Sequence, residues 1–459
     1  MNARRLLVLV IVSLLIAACG GAPGGGASNP ASGTAASGSQ GAPATTQAQS
    51  GAAAGGEIQM RMAWWGSKDR HDRTIKVIDL FQKENPNVKI TYEFSAFDDY
   101  WTKLTTQAAG GNLPCLIQQD YQKIGDWVSR NLLLPLDPYI QNNTINTANI
   151  DQKYLDGGRL NGKLYAISLG TNSQSLIFDP ALFQKAGVQI PGNDWTWDDF
   201  EQVTTQLKDK LGTYGMSISL DDWQVFKLWL KQHGKTFYNQ QGNALGYDDD
   251  KLYVDFFTMV KRLQDTGAMP KRDVEVTLAT APIEDNPIVK GQAAIAYMWS
   301  NQIIAVSSAA GGRSLQTGLF PKPKIPNAQP GYYLKPSQFF SITAQCDHPD
   351  VAAKIIDFFT NSIPANEILA AERGVPISSE VRKAIEPNVS AAQKEAFKLV
   401  SLVEQNPSPL DPPDPAGSSE VVSKVYTPLM EEVLYGRMSP EDAAKQFRDQ
   451  ANAILAKNK

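Results

Sequence analysis

The chain has 459 residues, with 43 Lys and Arg against 47 Asp and Glu, a formal net charge of −4. That length is enough for two or three domains, or two lobes of one unit, each with a sizeable core. The mildly acidic balance, without a basic stripe or basic–aromatic interleaving, argues against nucleic acid as a partner.

The N-terminus reads as a leader rather than as fold. Arg4 and Arg5 precede an apolar run from Leu6 to Ile16, followed by Ile16-Ala17-Ala18-Cys19-Gly20. A basic start, a short apolar run and small residues mark an export signal, and the run is short for a membrane span. Ile-Ala-Ala-Cys resembles a bacterial lipobox, which implies cleavage before Cys19, so that 1–18 is removed and a lipid on Cys19 tethers the mature chain to the cell membrane. Removal of Arg4 and Arg5 leaves 41 basic residues against 47 acidic. Residues 20–56 are almost wholly Gly, Ala, Ser, Thr, Pro, Gln and Asn, a composition that cannot bury enough surface to order itself. As a coil it reaches about 30–37 Å.

Past Cys19 the cysteines are Cys115 and Cys346, and the three histidines, His71, His233 and His348, stand singly. A structural zinc site is therefore not expected, nor any cofactor. Export permits a Cys115–Cys346 disulfide, and two free thiols fit the sequence equally well.

Ile58, Met60, Met62 and Trp64 alternate as a strand does, Ile75, Ile78 and Phe81 mark a helix face ended by Asn85-Pro86, and Val88, Ile90, Tyr92 and Phe94 alternate again. Strand, helix, strand in under forty residues is a βαβ unit. It predicts a parallel sheet with its ligand crevice at the strand carboxyl ends. A helix near 98–109 and a third strand, 116–121, place Asp120 and Tyr121 beside Trp64 and Trp65. Asn161-Gly162 predicts a hairpin, and a crossing between lobes is expected near 166–172. Beyond it the α/β pattern restarts with a strand at 176–178, a helix from Pro180, a capped helix at Thr196, a short strand at 216–218, helices at 223–233 and 250–265, and a strand ending in Trp299, Ser300 and Asn301. Phe339 to Ile342 reads as a strand and the remainder as helix, the last one capped by Ser439.

Several motifs in series then carry a resemblance: the lipobox, Trp64-Trp65-Gly66 with Arg70-His71, Leu80-Phe81 to Asn85-Pro86, Gly110-Gly111-Asn112-Leu113-Pro114, Gly162-Lys163-Leu164-Tyr165-Ala166, Lys185-Ala186-Gly187-Val188 with Trp195-Thr196-Trp197, Gly291-Gln292-Ala293-Ala294, Lys335-Pro336-Ser337 and Arg373-Gly374-Val375-Pro376. Over about 57–400 the chain resembles the sugar-binding (family 1) extracellular solute-binding proteins of ABC transporters. The resemblance implies an α/β, two-lobed periplasmic-binding-protein-like fold of type II, maltose-binding-protein-like, with a hinge between lobes. It also implies a carbohydrate ligand, ABC-transporter permease subunits as partners, and no enzymatic activity. A monomer is expected. The first lobe is placed at 57–165 with 285–345, and the second at 166–284 with 346–459. One departure is Cys115, which follows Pro114 where the family usually carries an aspartate.

A sugar presents hydroxyls that both donate and accept, and apolar ring faces; it calls for planar aromatics and short, fixed polar groups. The candidates are Trp65, Gly66, Arg70, Asp120, Tyr121, Asn172, Trp223, Trp299, Asn301 and Gln338. Trp64 follows the inward phase of its strand and is read as core; Trp65 breaks phase and is read as a stacking face. Two alternatives stay open: an aromatic cage for a quaternary amine or polyamine with Asp120 as counter-charge, and an exported carbohydrate-active hydrolase. Acid pairs such as Asp198-Asp199 and Asp248-Asp249 sit at helix starts, where capping explains them.

Overall fold

The computed structural model describes residues 56–217, 220–279 and 281–458. The expected leader, Cys19 and all but the last residue of the linker lie outside them.

The alternating apolar run forms the strand Ile58–Trp65, with Met60, Met62 and Trp64 buried. The following helix, Lys68–Glu84, is capped by Ser67, whose hydroxyl accepts from the Arg70 amide, and buries Thr74, Val77, Ile78 and Phe81. It stops at Asn85, whose backbone and side-chain N–H groups both donate to the Phe81 carbonyl. Strand Val88–Ser95 then pairs in parallel with Ile58–Trp65, from Ile58 opposite Val88 to Trp65 opposite Ser95. Strand Leu116–Gln119 pairs in parallel on the other side. Phe339–Ile342 pairs antiparallel with Leu116–Gln119, and Ile167–Ser168 pairs antiparallel with Phe339–Ile342, completing this five-stranded sheet. The three parallel strands end on one rim, which sets Trp65 and Asp120 near each other as the βαβ reading requires.

The second sheet has four strands in the order Gln316–Gly318, Gln174–Phe178, Ala293–Trp299, Tyr214–Met216. Between the sheets the chain crosses in both directions, and the crossings pair as an antiparallel ribbon, Thr171–Asn172 against Lys335–Pro336. A third segment joins them where Thr171 and Val375 exchange backbone hydrogen bonds. Close approach here requires glycine: a Cβ on Gly170 would lie 2.6 Å from the Arg373 carbonyl oxygen. The hairpin at Asn161-Gly162 forms as expected, with both residues at positive φ, 50° and 78°.

The lobe boundaries differ from those read in the sequence. Strands Ala293–Trp299 and Gln316–Gly318 pair with Gln174–Phe178, so most of 285–345 belongs to the second lobe. Helices Pro349–Asn361 and Ile363–Leu369 pack on Lys68–Glu84, with Phe358 edge-on to Phe81 at 5.3 Å, so this part of 346–459 belongs to the first. The first lobe thus holds 57–168 and 339–385, and the second 174–334 and 391–458. Local periodicity identifies a strand and says nothing about its pairing partner, and the error follows from that.

Helices Lys251–Asp265, Thr427–Leu434 and Pro440–Leu455 enclose a large aromatic core in the second lobe, built on Phe226, Phe237, Tyr253, Phe257, Tyr426 and Phe447. In the first lobe Cys115 and Cys346 are joined as a disulfide across the ends of two adjacent strands. The position that departs from the family pattern is therefore half of a cross-link closing a loop of 231 residues. By constraining the unfolded chain it contributes about 2–5 kcal/mol. The double substitution Cys115→Ser, Cys346→Ser is expected to lower the urea-unfolding free energy by that amount. An unchanged unfolding midpoint would show that the bond carries no load.

Candidate solute-binding cleft

Between the rim of the first sheet and the second lobe lies a cavity of about 240 Å³. Asp120 and Tyr121 line it from the rim, Gln224 and Lys227 from a second-lobe helix, and Lys335, Pro336 and Ser337 from the return crossing. The segment Leu410–Asp414 closes it. A chamber of about 360 Å³ adjoins it through Gln122 and Asp414, and Trp223 lines that chamber. A larger groove, about 540 Å³, lies at the edge of the second sheet among Phe178, Trp195, Gly318, Phe397 and Leu402 and shares no lining residue with this cavity.

The helix Trp223–Gln232 begins at Asp222, whose carboxylate accepts from the Gln224 amide at 2.8 Å. Val225, Phe226, Leu228, Trp229 and Leu230 are buried, and the ammonium groups of Lys227 and Lys231 turn toward the proline-rich segment. Lys227 Nζ lies 3.2 Å from both Asp411 and Asp414. Lys231 Nζ lies 2.7 Å from Asp411 and donates to the Pro409 carbonyl at 2.6 Å. From the first lobe, the Tyr121 hydroxyl donates to the Asp411 carbonyl. Residue 411 is thus held by both lobes. The segment Pro407–Pro415 contains five prolines, which restrict its backbone in advance. It is pinned by Ser408, which donates its amide to the Tyr332 carbonyl and accepts from the Gly331 amide.

Two charged groups facing the cavity have no ion-pair partner within 4 Å among the described residues. Asp120 accepts from the Gln122 amide at 2.8 Å and shares the cavity with Lys335 and Lys227. Lys335 Nζ lies over the Trp299 ring, 4.4 Å from its centre. Burial lowers its pKa, and Asp120 and Asp414 partly restore it. Tyr333 stands edge-on to Trp299 at 6.2 Å, and the Ser337 hydroxyl is buried without a hydrogen-bond partner. Burial raises the Tyr121 pKa, reinforced by Asp411 and Asp414. Burial also pushes Asp222 up to about 6, with Asp221 adding to it and the Gln224 amide and Lys335 opposing.

Of the residues singled out in the sequence, Asp120 and Tyr121 meet in the cavity, Trp299 backs it through Lys335, and Trp223 lines the next chamber. Gln338 adjoins Ser337; its carbonyl accepts from the Leu169 amide and its Oε1 is buried without a partner. Asn172 sits in the crossing ribbon opposite Lys335, its Oδ1 accepting from Ser300 Oγ at 3.5 Å. Asn301 is exposed at the start of the helix Gln302–Ala309 and lines neither chamber.

Trp65 is not the open stacking face expected. It is 7 % exposed and packed among Phe97, Tyr100 and Trp101, with ring centres 5.1–5.7 Å away. The helix Phe97–Ala109, which follows the neighbouring strand Val88–Ser95, lays aromatics over the rim, so breaking phase moves Trp65 into a second core. Gly66 is covered by Arg70, and Arg70 Nε donates to both Glu372 oxygens, at 2.9 and 3.1 Å, so neither lines the cavity. Trp64 is fully buried, as read, and donates to His71 Nδ1 at 3.1 Å. The sequence reading missed Lys227, Lys335, Asp411 and Asp414. Its one signal was the Asp411-Pro412-Pro413-Asp414 run, where two acids recur in a stiff segment.

Residues 67–363 match the family model of the bacterial extracellular solute-binding proteins. The chain belongs to this family. A family 1 extracellular solute-binding protein from Alicyclobacillus acidocaldarius has a solved structure that is 30 % identical, with a TM-score of 0.77, covering 88 % of this chain and all of that one. A periplasmic oligogalacturonide binding protein from Yersinia enterocolitica is 25 % identical with a TM-score of 0.71, covering 87 % of this chain and all of that one. The multiple sugar-binding protein of Streptococcus mutans is 23 % identical over 175 residues, 37 % of this chain and 39 % of its own. The two-lobed, maltose-binding-protein-like fold is that of these solute-binding proteins.

In this solute-binding protein Trp65 is structural, and Trp65→Ala is expected to cost about 3–5 kcal/mol of stability by urea unfolding. A loss below about 1 kcal/mol would return Trp65 to the surface. Asp222 supplies a pH test. Its folded pKa lies above the unfolded carboxylate value, so the folded state holds the proton more tightly, and stability falls as pH rises from about 4 to about 6. Asp222→Asn keeps an acceptor for the cap. Its unfolding temperature is expected to gain on the parent protein across that window, by the equivalent of at most roughly 3 kcal/mol, and to hold the gain above it. Parallel profiles from pH 4 to 7 would refute the assignment.

Proposed function

We propose that this chain captures a sugar or oligosaccharide between its lobes and passes it to the permease subunits of an ABC transporter, while a lipid on Cys19 holds it at the outer side of the cell membrane. The observation that carries the reading is the cavity between the lobes, where Asp120, Lys335 and the Ser337 hydroxyl have unspent hydrogen-bonding capacity beside Trp299 and Tyr333. Short polar groups next to aromatic surface are what a polyhydroxylated ring requires. Sugar-binding relatives support the same class. Among the described residues no helix is long and apolar enough to cross a membrane, which accords with attachment through a lipid.

A quaternary-amine cage fits less well. The Trp299 ring already carries Lys335, and Lys227 stands 5.6 Å from the Trp223 ring centre, so two cation–π positions are filled by the chain's own ammonium groups. A hydrolase needs one carboxylate to act as acid and another as nucleophile or base. Asp411 and Asp414 are instead tied to lysines.

A thermal-shift screen against mono- and oligosaccharides and betaine-type cations, followed by calorimetry and product analysis, tests the proposal. A binding saccharide at a hundredfold excess over its Kd is expected to add about 2.7 kcal/mol to folding stability, with no turnover. Product formation, or a response to cations alone, would overturn it.

A further inference from the structure

The charges facing the cleft cancel in a definite pattern. Lys227 and Lys231 are matched by Asp411 and Asp414 at 2.7–3.2 Å, two cations against two anions. That leaves Asp120 on the first-lobe rim and Lys335 on the return crossing, both lining one cavity and neither with a counter-ion within 4 Å among the described residues. An ionised carboxylate only accepts hydrogen bonds and an ammonium only donates them. A hydroxyl does both, so two neighbouring hydroxyls of a sugar would satisfy Asp120 and Lys335 together without altering the charge of the site.

A charged ligand fits worse. A carboxylate brought to Lys335 would share the cavity with Asp120, Asp411 and Asp414, while Asp222 acts on Lys335 from the head of the neighbouring helix. A ligand ammonium brought to Asp120 would meet Lys335 and Lys227. Like charges within a partly desolvated cavity repel strongly, because little solvent screens them.

We propose that the cleft selects an uncharged saccharide, with Asp120 accepting from and Lys335 donating to neighbouring hydroxyls, and that it discriminates against sugars bearing a carboxylate. This rests on the sugar reading above and narrows it.

The test is calorimetry at pH 7 on the full chain, with maltotriose, cellotriose, xylotriose, mannotriose and galactobiose as neutral probes and digalacturonic acid as the acidic one. The tightest neutral probe is expected to bind at least tenfold better than digalacturonic acid. Asp120→Asn should weaken the neutral probe and narrow that gap at least fivefold, because it removes an acceptor and a repelling charge at once. Lys335→Met should weaken the neutral probe at least tenfold and Lys335→Arg should restore most of it, with an unchanged unfolding temperature showing that the fold is intact. Digalacturonic acid binding more tightly than every neutral probe would overturn the charge selection and leave the sugar reading standing. Neutral binding that is indifferent to both positions would overturn the roles of Asp120 and Lys335. Binding of none of the saccharides would remove the sugar reading, and this inference with it.

Discussion

The short backbone ribbon between the sheets, Thr171–Asn172 against Lys335–Pro336, is the constraint on which the rest depends. It joins two lobes whose sheets are otherwise separate, and it makes one side of the cleft out of main chain that is already paired. Burying a backbone polar group without a partner is costly, so a crossing through a crevice is viable only where those groups satisfy one another. With that requirement met, Lys335 and Ser337 can face the cavity. Glycine at position 170 allows the segment 373–375 to come close enough to join the crossings. The hinge and the site therefore share residues, and a shift of one lobe moves Lys335 relative to Asp120.

The lysine–aspartate group around residue 411 serves geometry more than stability. Lys227, Lys231, Asp411 and Asp414 are largely buried, and taking such charges from water offsets much of their attraction. What the arrangement provides is placement. A stiff, proline-rich segment is fixed to the second lobe through its carboxylates, and its Asp411 carbonyl accepts from Tyr121 of the first lobe. That bond is neutral and worth about 1 kcal/mol; the lobes are also joined away from the cavity, by the Arg382–Glu404 ion pair at 3.1 Å and by Lys153 donating to the Glu404 carbonyl at 2.9 Å.

Much of the fold was legible because it rests on local physics. The alternation at 58–64, the helix stop at Asn85-Pro86, the Asn161-Gly162 turn and the Thr196 capping box each depend on a few adjacent residues, and each is present. What could not be read depends on distant partners. Ala293–Trp299 looks like any inward strand, and nothing in it tells the first sheet from the second. The site divides the same way. Asp120 and Tyr121 follow from their position at a strand end, whereas Lys227 and Asp411 are distant in sequence and acquire a role only when folding brings them together. Trp65 misled because exposure at a strand end holds only until another helix covers it, and Phe97, Tyr100 and Trp101, on the helix after the neighbouring strand, do so.

The lysines on the tryptophan rings bear on how a sugar would be admitted. A ring face reserved for stacking would be exposed and unfavourably wetted in the empty cleft. Here Lys335 covers Trp299 at 4.4 Å, and the contact contributes about 0.5–2 kcal/mol. That is small enough to be exchanged for a sugar ring face, and the flexible stem lets the ammonium swing aside while still reaching a hydroxyl. The same side chain would then keep the aromatic surface covered when the site is empty and donate to the ligand when it is full. A carboxylate fixed in that position could do neither, since it is repelled by the face of the ring and cannot donate. That is a physical reason for lysine to be the residue on the crossing strand beside Trp299.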